Sequence, residues 1–125
     1  QQCDIQMFAR LQRNDILFID SSHIIRPQGD VLFEYLEIMP ILQSGVLIHI
    51  HDIFSPRDYP PHWLHNHVHF WNEQYLLEVL IGNTSRYKIV ASLNKLYHDH
   101  KELLRVVCPS LNDTSEPGSF YLSIK

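Results

Sequence analysis

The apolar positions of this chain form four short runs with strand character, and segments with helical spacing lie between them. Two continuous apolar runs, at 15–20 and 46–50, predict strands that are covered on both faces, the pattern of a parallel sheet. A third run at 87–92 predicts another strand. Apolar side chains at alternate positions of 118–124 predict a final strand with antiparallel neighbours.

Helical spacing occurs in four segments. Residues 4–13 predict a short amphipathic helix, and Asp30 is a good N-cap for a second helix that kinks or ends near Pro40. Residues 70–80 predict a strong helix, and 93–107 predict a partly helical segment. Helices that alternate with strands define an α/β fold, in which right-handed crossovers make the first strands parallel and place helices on both faces of the sheet.

Composition and charge limit the classes of protein to which the chain can belong. Its 125 residues, 45% apolar and 19% charged, predict one folded domain over 1–125. The net charge of -4 argues against a nucleic-acid partner, and no apolar run reaches the roughly 18 residues of a membrane helix. Two cysteines near opposite ends of the chain fit a reducing compartment such as the cytoplasm.

Candidate chemistry lies directly after the first two predicted strands. Asp20 and His23 follow the first strand, and His51 and Asp52 follow the second. Because ligands of parallel sheets bind beyond the carboxyl ends of the strands, these side chains would meet at one crevice if the strands are neighbours. Such a group suits a divalent ion, Mg or Mn first and Zn less well, and a histidine there could act as a general base. The structural alternative is that Asp20 caps a turn and His51 is a hydrogen-bonded, partly buried histidine.

The loop at 53–68 contains three prolines and a cluster of histidines. A loop of this length is frequently a lid over a site, although prolines also pin ordered surface loops. The histidines at alternate positions would share one side of an extended segment and hold Zn or Ni, or the run is a solvated loop. The histidines are His62, His65, His67 and His69. Glu73 opens the next helix, where it could face the crevice or only complement the helix dipole.

Three segments give the chain a resemblance to a known family. They are DILFIDSSH at 15–23, EYLEIMPILQSGVLIHIHDIF at 34–54 and FWNEQYLL at 70–77. Together they resemble the C-terminal half of class I S-adenosylmethionine-dependent methyltransferases, in particular small-molecule enzymes related to macrolide-sugar and catechol-type O-methyltransferases. The resemblance runs from about Asp15 to Lys125. It implies a partial Rossmann-like sheet and methyl transfer to a hydroxyl of a small-molecule acceptor.

The resemblance also implies roles for single residues. Asp20 and Asp52 match the two acids that hold a divalent metal or face the substrate, and His23 matches the general base of the sugar O-methyltransferases. His51, which we include among the metal ligands, stands where those enzymes carry an acid. The loop after the second strand would be a substrate-facing lid. Its implied substrate contacts are Arg57, Tyr59 and Trp63.

The glycine-rich turn of that family's cofactor site is absent from the sequence. The four glycines here lie far apart, so no loop can bring several backbone amides against a cofactor. We therefore expect a fragment whose cofactor half lies upstream of Gln1 and which binds S-adenosylmethionine poorly alone. The strand at 15–20 would then be a bare apolar edge, which predicts a homo-oligomer through that edge. A non-enzymatic metal-binding or assembly module and a metal-dependent hydrolase are the alternatives.

Overall fold

Strands and helices alternate along the chain in the predicted order. The computed structural model describes residues 3–66, 68–114 and 116–125. The elements are a 3-10 helix Ile5–Arg10, β1 Ile16–Ile19, α1 Asp30–Phe33, a π-helical segment Glu34–Ile38, α2 Met39–Ile41, β2 Leu47–Ile50, α3 Pro61–Asn66, α4 Glu73–Gly82, β3 Tyr87–Ser92, α5 Leu93–Val107 and β4 Phe120–Ile124. Among the described residues, no helix has both the length and the apolar character needed to cross a membrane.

The four strands form one mixed sheet in the order β1-β2-β4-β3. β1 and β2 are parallel neighbours with Ile19 opposite Ile50, so the residues that follow the two strands leave the same edge of the sheet. β4 lies between β2 and β3 and runs antiparallel to both. The α/β class, the parallel first pair and the antiparallel final strand are therefore confirmed.

The core lies between one face of the sheet and the helices that pack on it. Among the strand residues that point to this face, Ile48 and Leu122 are examples, and both are fully buried. Tyr35, Met39 and Leu77 fill the same core from the helical side. Because successive side chains of a strand point to opposite faces, only every second strand residue reaches this core.

The outer face of β1 is open. Ile16 is 59% exposed and Phe18 is 53% exposed, whereas Ile19 on the inner face is buried. The prediction that this strand is covered on both faces is wrong, and the predicted second layer of helices does not cover β1. A continuous apolar run predicts a strand, but the same run occurs whether or not a second layer of helices covers the outer face of that strand.

Pro40 changes the helical segment that begins at Asp30. Because proline has no backbone N–H, the carbonyl four residues earlier loses its α-helical partner. The turn before Pro40 widens to the π form, in which the Met39 N–H donates to the Glu34 carbonyl oxygen. This is the predicted kink, and it leaves Tyr35 fully buried with Glu34 beside the loop after β1.

Candidate functional site

Asp20, His23, His51 and Asp52 converge at the carboxyl ends of β1 and β2, and we call this group the crevice cluster. His23 Nε2 lies 3.5 Å from Asp20 Oδ1 and 3.9 Å from Asp52 Oδ2. His51 Nδ1 lies 3.6 Å from Asp20 Oδ1 and 3.2 Å from Asp52 Oδ1. The side chain of His23 is buried, whereas those of Asp20 and His51 are nearly half exposed. The cluster therefore has a closed inner side and an accessible outer side.

Two members of the crevice cluster have a left-handed backbone conformation. The φ angle is 58° at His23 and 56° at Asp52. For a residue with a Cβ atom this conformation costs roughly 1 kcal/mol or more, and such residues are concentrated at functional sites. The fold therefore maintains one unfavourable turn in each of the two loops that form the crevice.

Gly118 holds the loop after β2 against the approach to β4. The Ile53 N–H donates to the Gly118 carbonyl oxygen, with nitrogen and oxygen 2.7 Å apart. A Cβ atom at position 118 would lie 3.0 Å from Asp52 Cα and 3.1 Å from Asp52 Oδ1. Since only glycine permits so close an approach without displacement, Gly118 supports the position of Asp52.

A buried carboxylate holds the inner side of His23. His23 Nδ1 lies 2.7 Å from Glu73 Oε2, and the Tyr35 hydroxyl donates to Glu73 Oε1 over 2.6 Å. Glu73 and Tyr35 are both fully buried. Of the two roles that the sequence leaves open for Glu73, its contact with His23 supports the one at the crevice.

Sequence reasoning does not find Tyr35 at this site. No spacing rule connects residues 23, 35 and 73, because each comes from a different element. Only Glu73 had a sequence signal. It is an acid in the first turn of α4, and a helix that follows a parallel strand begins near the carboxyl edge of the sheet. Nothing comparable marks Tyr35, which reads as an ordinary core aromatic.

The start of α4 is bonded to the loop that carries His23. The His23 carbonyl oxygen accepts from the N–H groups of Asn72 and Glu73, over 3.0 and 3.3 Å. The Asn72 side-chain oxygen accepts from the N–H of Ile25 over 2.6 Å. The ring of Trp71 packs on the His23 imidazole with centroids 4.3 Å apart. His23 is therefore held through its backbone as well as its ring.

The surroundings of His23 favour its protonated form. Burial lowers the pKa of the imidazole, but the hydrogen bond and the charge of Glu73 raise it, and Asp52 and Asp20 add smaller increases. The pKa of His23 therefore lies above its ordinary value. An imidazole of this kind can take up a proton near neutral pH, as a general base requires.

Two serines connect the loop after β1 to the helical segment that follows. The Ser22 N–H and hydroxyl both donate to the Asp30 carboxylate. Asp30 is therefore an acceptor that holds this loop; it is the first residue of α1, whose N-cap is Gly29, so the prediction of Asp30 as the N-cap is wrong by one residue. The Ser21 hydroxyl donates to Glu34 Oε2 over 2.8 Å. Burial raises the pKa of Glu34 to about 7; the Ser21 bond opposes this shift, and nearby carboxylates add to it.

The crevice cluster has spacings that a small cation could use, but its side chains are not arranged as a formed metal centre. Within the described part of the chain, no three His, Cys, Asp or Glu side chains make a group that could hold a metal ion as they stand. His51 Nδ1 is nevertheless buried and makes no hydrogen bond of good geometry with the described residues. It lies 3.2 and 3.6 Å from two carboxylate oxygens, close to the roughly 3.0–3.4 Å between neighbouring ligands of one divalent ion.

The three predicted lid residues, Arg57, Tyr59 and Trp63, line one cavity of about 590 Å³. Arg57 is exposed and Trp63 is half-buried. Tyr59 is buried, and its hydroxyl oxygen accepts from the Gln74 N–H over 3.0 Å. Burial also raises the pKa of Tyr59. The structure thus places all three beside one cavity, with the Tyr59 hydroxyl already bonded to α4.

An aromatic wall stands between this cavity and the crevice cluster. The rings of Trp63 and Trp71 meet edge to face with centroids 4.8 Å apart, and Trp71 in turn packs on His23. Trp63 also packs against Phe54, with centroids 5.1 Å apart. No member of the crevice cluster is among the described residues that line the cavity. The two features are therefore neighbours that share a wall.

The described histidines of the run do not share one extended segment, which was one of the two alternatives for this run. His62 and His65 lie in helix α3, so the alternation of an extended segment does not apply to them. The ring of His69 stacks on Trp71 with centroids 4.7 Å apart. His67 lies outside the described residues.

Comparisons with protein families, curated protein sequences and solved structures give no match for this chain. The geometry of the crevice cluster is therefore the basis for assigning a function.

Proposed function

We propose that this chain is the acceptor-side half of a class I S-adenosylmethionine-dependent methyltransferase that modifies a hydroxyl of a small molecule. One observation carries the proposal: two acids and a buried, oriented histidine meet at the carboxyl ends of adjacent parallel strands. In sheets of this kind that edge is where ligands bind. The partial Rossmann-like fold expected for such an enzyme is compatible with the parallel β1–β2 pair and the antiparallel β4.

His23 would remove the proton of the acceptor hydroxyl. Its Nδ1 faces Glu73, and its Nε2 faces the carboxylates of the crevice. His23 Nε2 would take up the proton of an acceptor hydroxyl bound in the crevice as the O–H bond of that hydroxyl breaks. The raised pKa of the imidazole favours this uptake.

Asp20, His51 and Asp52 would hold a divalent ion at the outer side of the crevice. The unbonded and buried Nδ1 of His51, set between two carboxylates, is the observation that supports this choice. Two carboxylates favour Mg or Mn, and the imidazole makes Zn acceptable. A bound ion would orient the acceptor hydroxyl and lower its pKa.

The 125 residues do not fit the methyl donor. Gly29, Gly45, Gly82 and Gly118 are far apart in sequence, and none belongs to a glycine-rich loop. In the family that the chain resembles, the sulfonium cofactor lies against a glycine-rich turn of this kind. The proposal therefore assigns the cofactor site to residues outside this sequence.

A non-enzymatic metal-binding or assembly module is the second candidate. The histidine at position 51, where the related enzymes carry an acid, favours this candidate because it makes the ligand set more like that of a Zn site. Both candidates predict ion binding. They differ in whether a small-molecule hydroxyl is methylated when the cofactor half is supplied.

Substitution of Asp20 tests the ion site that both candidates share. Calorimetric titration of the purified chain with Mn²⁺ is expected to show one site, and Asp20→Asn is expected to weaken it by about tenfold or more, because a ligand charge is lost. Asp99→Asn is the matched control, since Asp99 lies on α5 and pairs with Lys95. Equal affinity in Asp20→Asn and wild type would remove Asp20 from the ion site.

The same calorimeter tests the missing cofactor site. The chain alone is expected to show no heat of binding with S-adenosylmethionine, because no glycine-rich loop is present. Micromolar binding would contradict the assignment of the cofactor site to other residues. Methyl transfer to a hydroxyl acceptor after addition of a cofactor-binding half would decide between the enzyme and the non-enzymatic module.

A further inference from the structure

We infer that Glu73 is the positioning residue for His23: its carboxylate keeps the single ring proton of the neutral imidazole on Nδ1, so that Nε2 of that neutral form faces the crevice with a free lone pair. This inference rests on the proposed function, in which His23 accepts a proton. The inference gives Glu73, which is fully buried, a specific role. From the sequence alone, Glu73 could either face the crevice or only complement the helix dipole.

The contact between the two side chains determines where the proton lies. An ionised carboxylate only accepts hydrogen bonds, so a contact of 2.7 Å between Glu73 Oε2 and His23 Nδ1 requires the hydrogen to be on Nδ1. A neutral imidazole carries one ring proton. His23 Nε2 is then the unprotonated nitrogen, and it is the one turned toward Asp20 and Asp52.

Tyr35 bonds the second oxygen of the Glu73 carboxylate. Its hydroxyl donates to Glu73 Oε1, so Oε2 is the oxygen that remains for His23. Both oxygens of the buried carboxylate are thereby bonded, as a buried charge needs. The Tyr35 hydroxyl occupies one oxygen and the His23 imidazole the other, so any other orientation of the carboxylate would lose at least one of these two hydrogen bonds.

The backbone reinforces the contact between the side chains. The N–H groups of Asn72 and Glu73 donate to the His23 carbonyl oxygen, so the residue that carries the carboxylate is bonded directly to the residue that it orients. Trp71 covers one side of the imidazole ring. The left-handed φ of His23 is maintained against its own cost by this set of contacts. Rotation of the ring would break its contacts with Glu73 and Trp71 together.

Nitrogen-15 NMR of the metal-free chain tests the inference, since the shifts of the two ring nitrogens report which one carries the proton. The spectrum is recorded above the titration of His23, where the imidazole is neutral, and its signals are identified by their loss in His23→Asn. Wild type is expected to carry the proton on Nδ1. Glu73→Gln is expected to shift the population toward the Nε2–H form, because the amide NH₂ that replaces Oε2 donates to Nδ1.

Two further variants separate positioning from general support of the fold. Tyr35→Phe removes the donor to Glu73 Oε1 but leaves the contact with His23, so it is expected to lower stability and keep the proton on Nδ1. Glu102→Gln, at an exposed glutamate of α5, is expected to change neither. Circular dichroism would show whether Glu73→Gln folds. If it does not fold, the position of the ring proton in wild type, measured by nitrogen-15 NMR, tests the inference without the variant.

A wild-type proton on Nε2, or an unchanged tautomer in folded Glu73→Gln, would overturn the inference. Neither measurement uses a metal, a cofactor or an acceptor. Failure of the proposed function would appear in the Mn²⁺ and methyl-transfer experiments, so the two failures are distinguishable.

Discussion

Glu34 shows how the fold changes the chemistry of a single residue. It lies in the π-helical turn beside the loop after β1, where its carboxyl group is partly removed from water and near other acids. Charging such a group is costly because burial disfavours the ionised form. The Ser21 hydroxyl offsets part of that cost by donating to the carboxylate, yet the pKa still rises to about 7.

Glu34→Gln is expected to remove a pH dependence of stability. A carboxyl with a folded-state pKa of about 7 and an ordinary value of 4.5 binds its proton more tightly in the folded chain. Its ionisation therefore lowers the free energy of unfolding as the pH rises from about 4.5 to about 7, by about 1–2 kcal/mol because water screens this half-buried group. Urea unfolding should show Glu34→Gln to be more stable than wild type at pH 8 and similar to it at pH 4.5.

The exposed neighbour Glu37 supplies the control for this prediction. Glu37→Gln lies in the same π-helical turn and removes one charge from the surface. It should follow the wild-type curve at both pH values within about 0.5 kcal/mol. A Glu34→Gln curve that also follows wild type would show that Glu34 ionises as an exposed acid does.

At the scale of the element, the site depends on how each loop is held at the edge of the sheet. The loop after β1 is bonded to α1 through Ser22 and Asp30 and to the start of α4 through His23. The loop after β2 is bonded to the approach to β4 through Ile53 and Gly118. The side chains of the crevice cluster have fixed positions because each of the two loops is held by a second element, whereas strand pairing alone would leave the tips of the loops free.

Gly118→Ala is expected to disturb the loop after β2. The added methyl group would meet the backbone of Asp52 at 3.0 Å, so the loop must move, at a cost of about 1–3 kcal/mol in stability. Displacement of Asp52 should also weaken Mn²⁺ binding. Thermal unfolding and ion titration measure the two effects.

Gly82 provides the matched glycine for this experiment. It lies in α4, and a Cβ atom there meets no described atom within 4 Å. Gly82→Ala should therefore be neutral or stabilising by up to about 1 kcal/mol. Equal effects of the two substitutions would mean that Gly118 is not needed for close packing.

At the scale of the whole molecule, β1 is one of the two edge strands of the sheet, with β3 at the other edge, and β1 is open on its outer face as well. It pairs with β2 on one side, and nothing in the described chain pairs with its other side. Ile16 and Phe18 project from it and are more than half exposed. An apolar edge strand of this kind recruits another strand. We therefore retain the proposal of a homo-oligomer formed through 15–20.

Phe18→Lys is expected to prevent association through this edge. A charge at the middle of an edge strand opposes strand addition, because pairing would bury it. Sedimentation velocity should show a dimer or larger species for wild type and a monomer for Phe18→Lys. Leu103→Lys replaces another exposed apolar residue, on α5, and should leave the wild-type behaviour unchanged. A wild-type chain that is monomeric at all concentrations would reject the edge as an interface.

Sequence reasoning reached the acids and histidines of the crevice because their positions follow from strand ends. Asp20 comes directly after β1 and His51 directly after β2, and parallel pairing makes neighbours of the residues at such ends. The two-residue period of a strand is a local property, and the position of ligands at the carboxyl ends of parallel strands follows from the topology. Both can therefore be applied to a single sequence. The open face of β1 was not predictable in this way, since an apolar run carries no record of what covers it.

The amino-acid sequence by itself determined the class of fold, the kink at Pro40 and the two strand ends at which acids and histidines stand, because each depends on residues close together in the chain. Only the tertiary structure decided which nitrogen of His23 contacts the buried Glu73 carboxylate and which nitrogen faces the crevice. That choice depends on Tyr35 and Glu73, which approach His23 through the packing of two helical segments on the sheet. Packing brings together residues that are distant in sequence, and no local pattern encodes the distances between them.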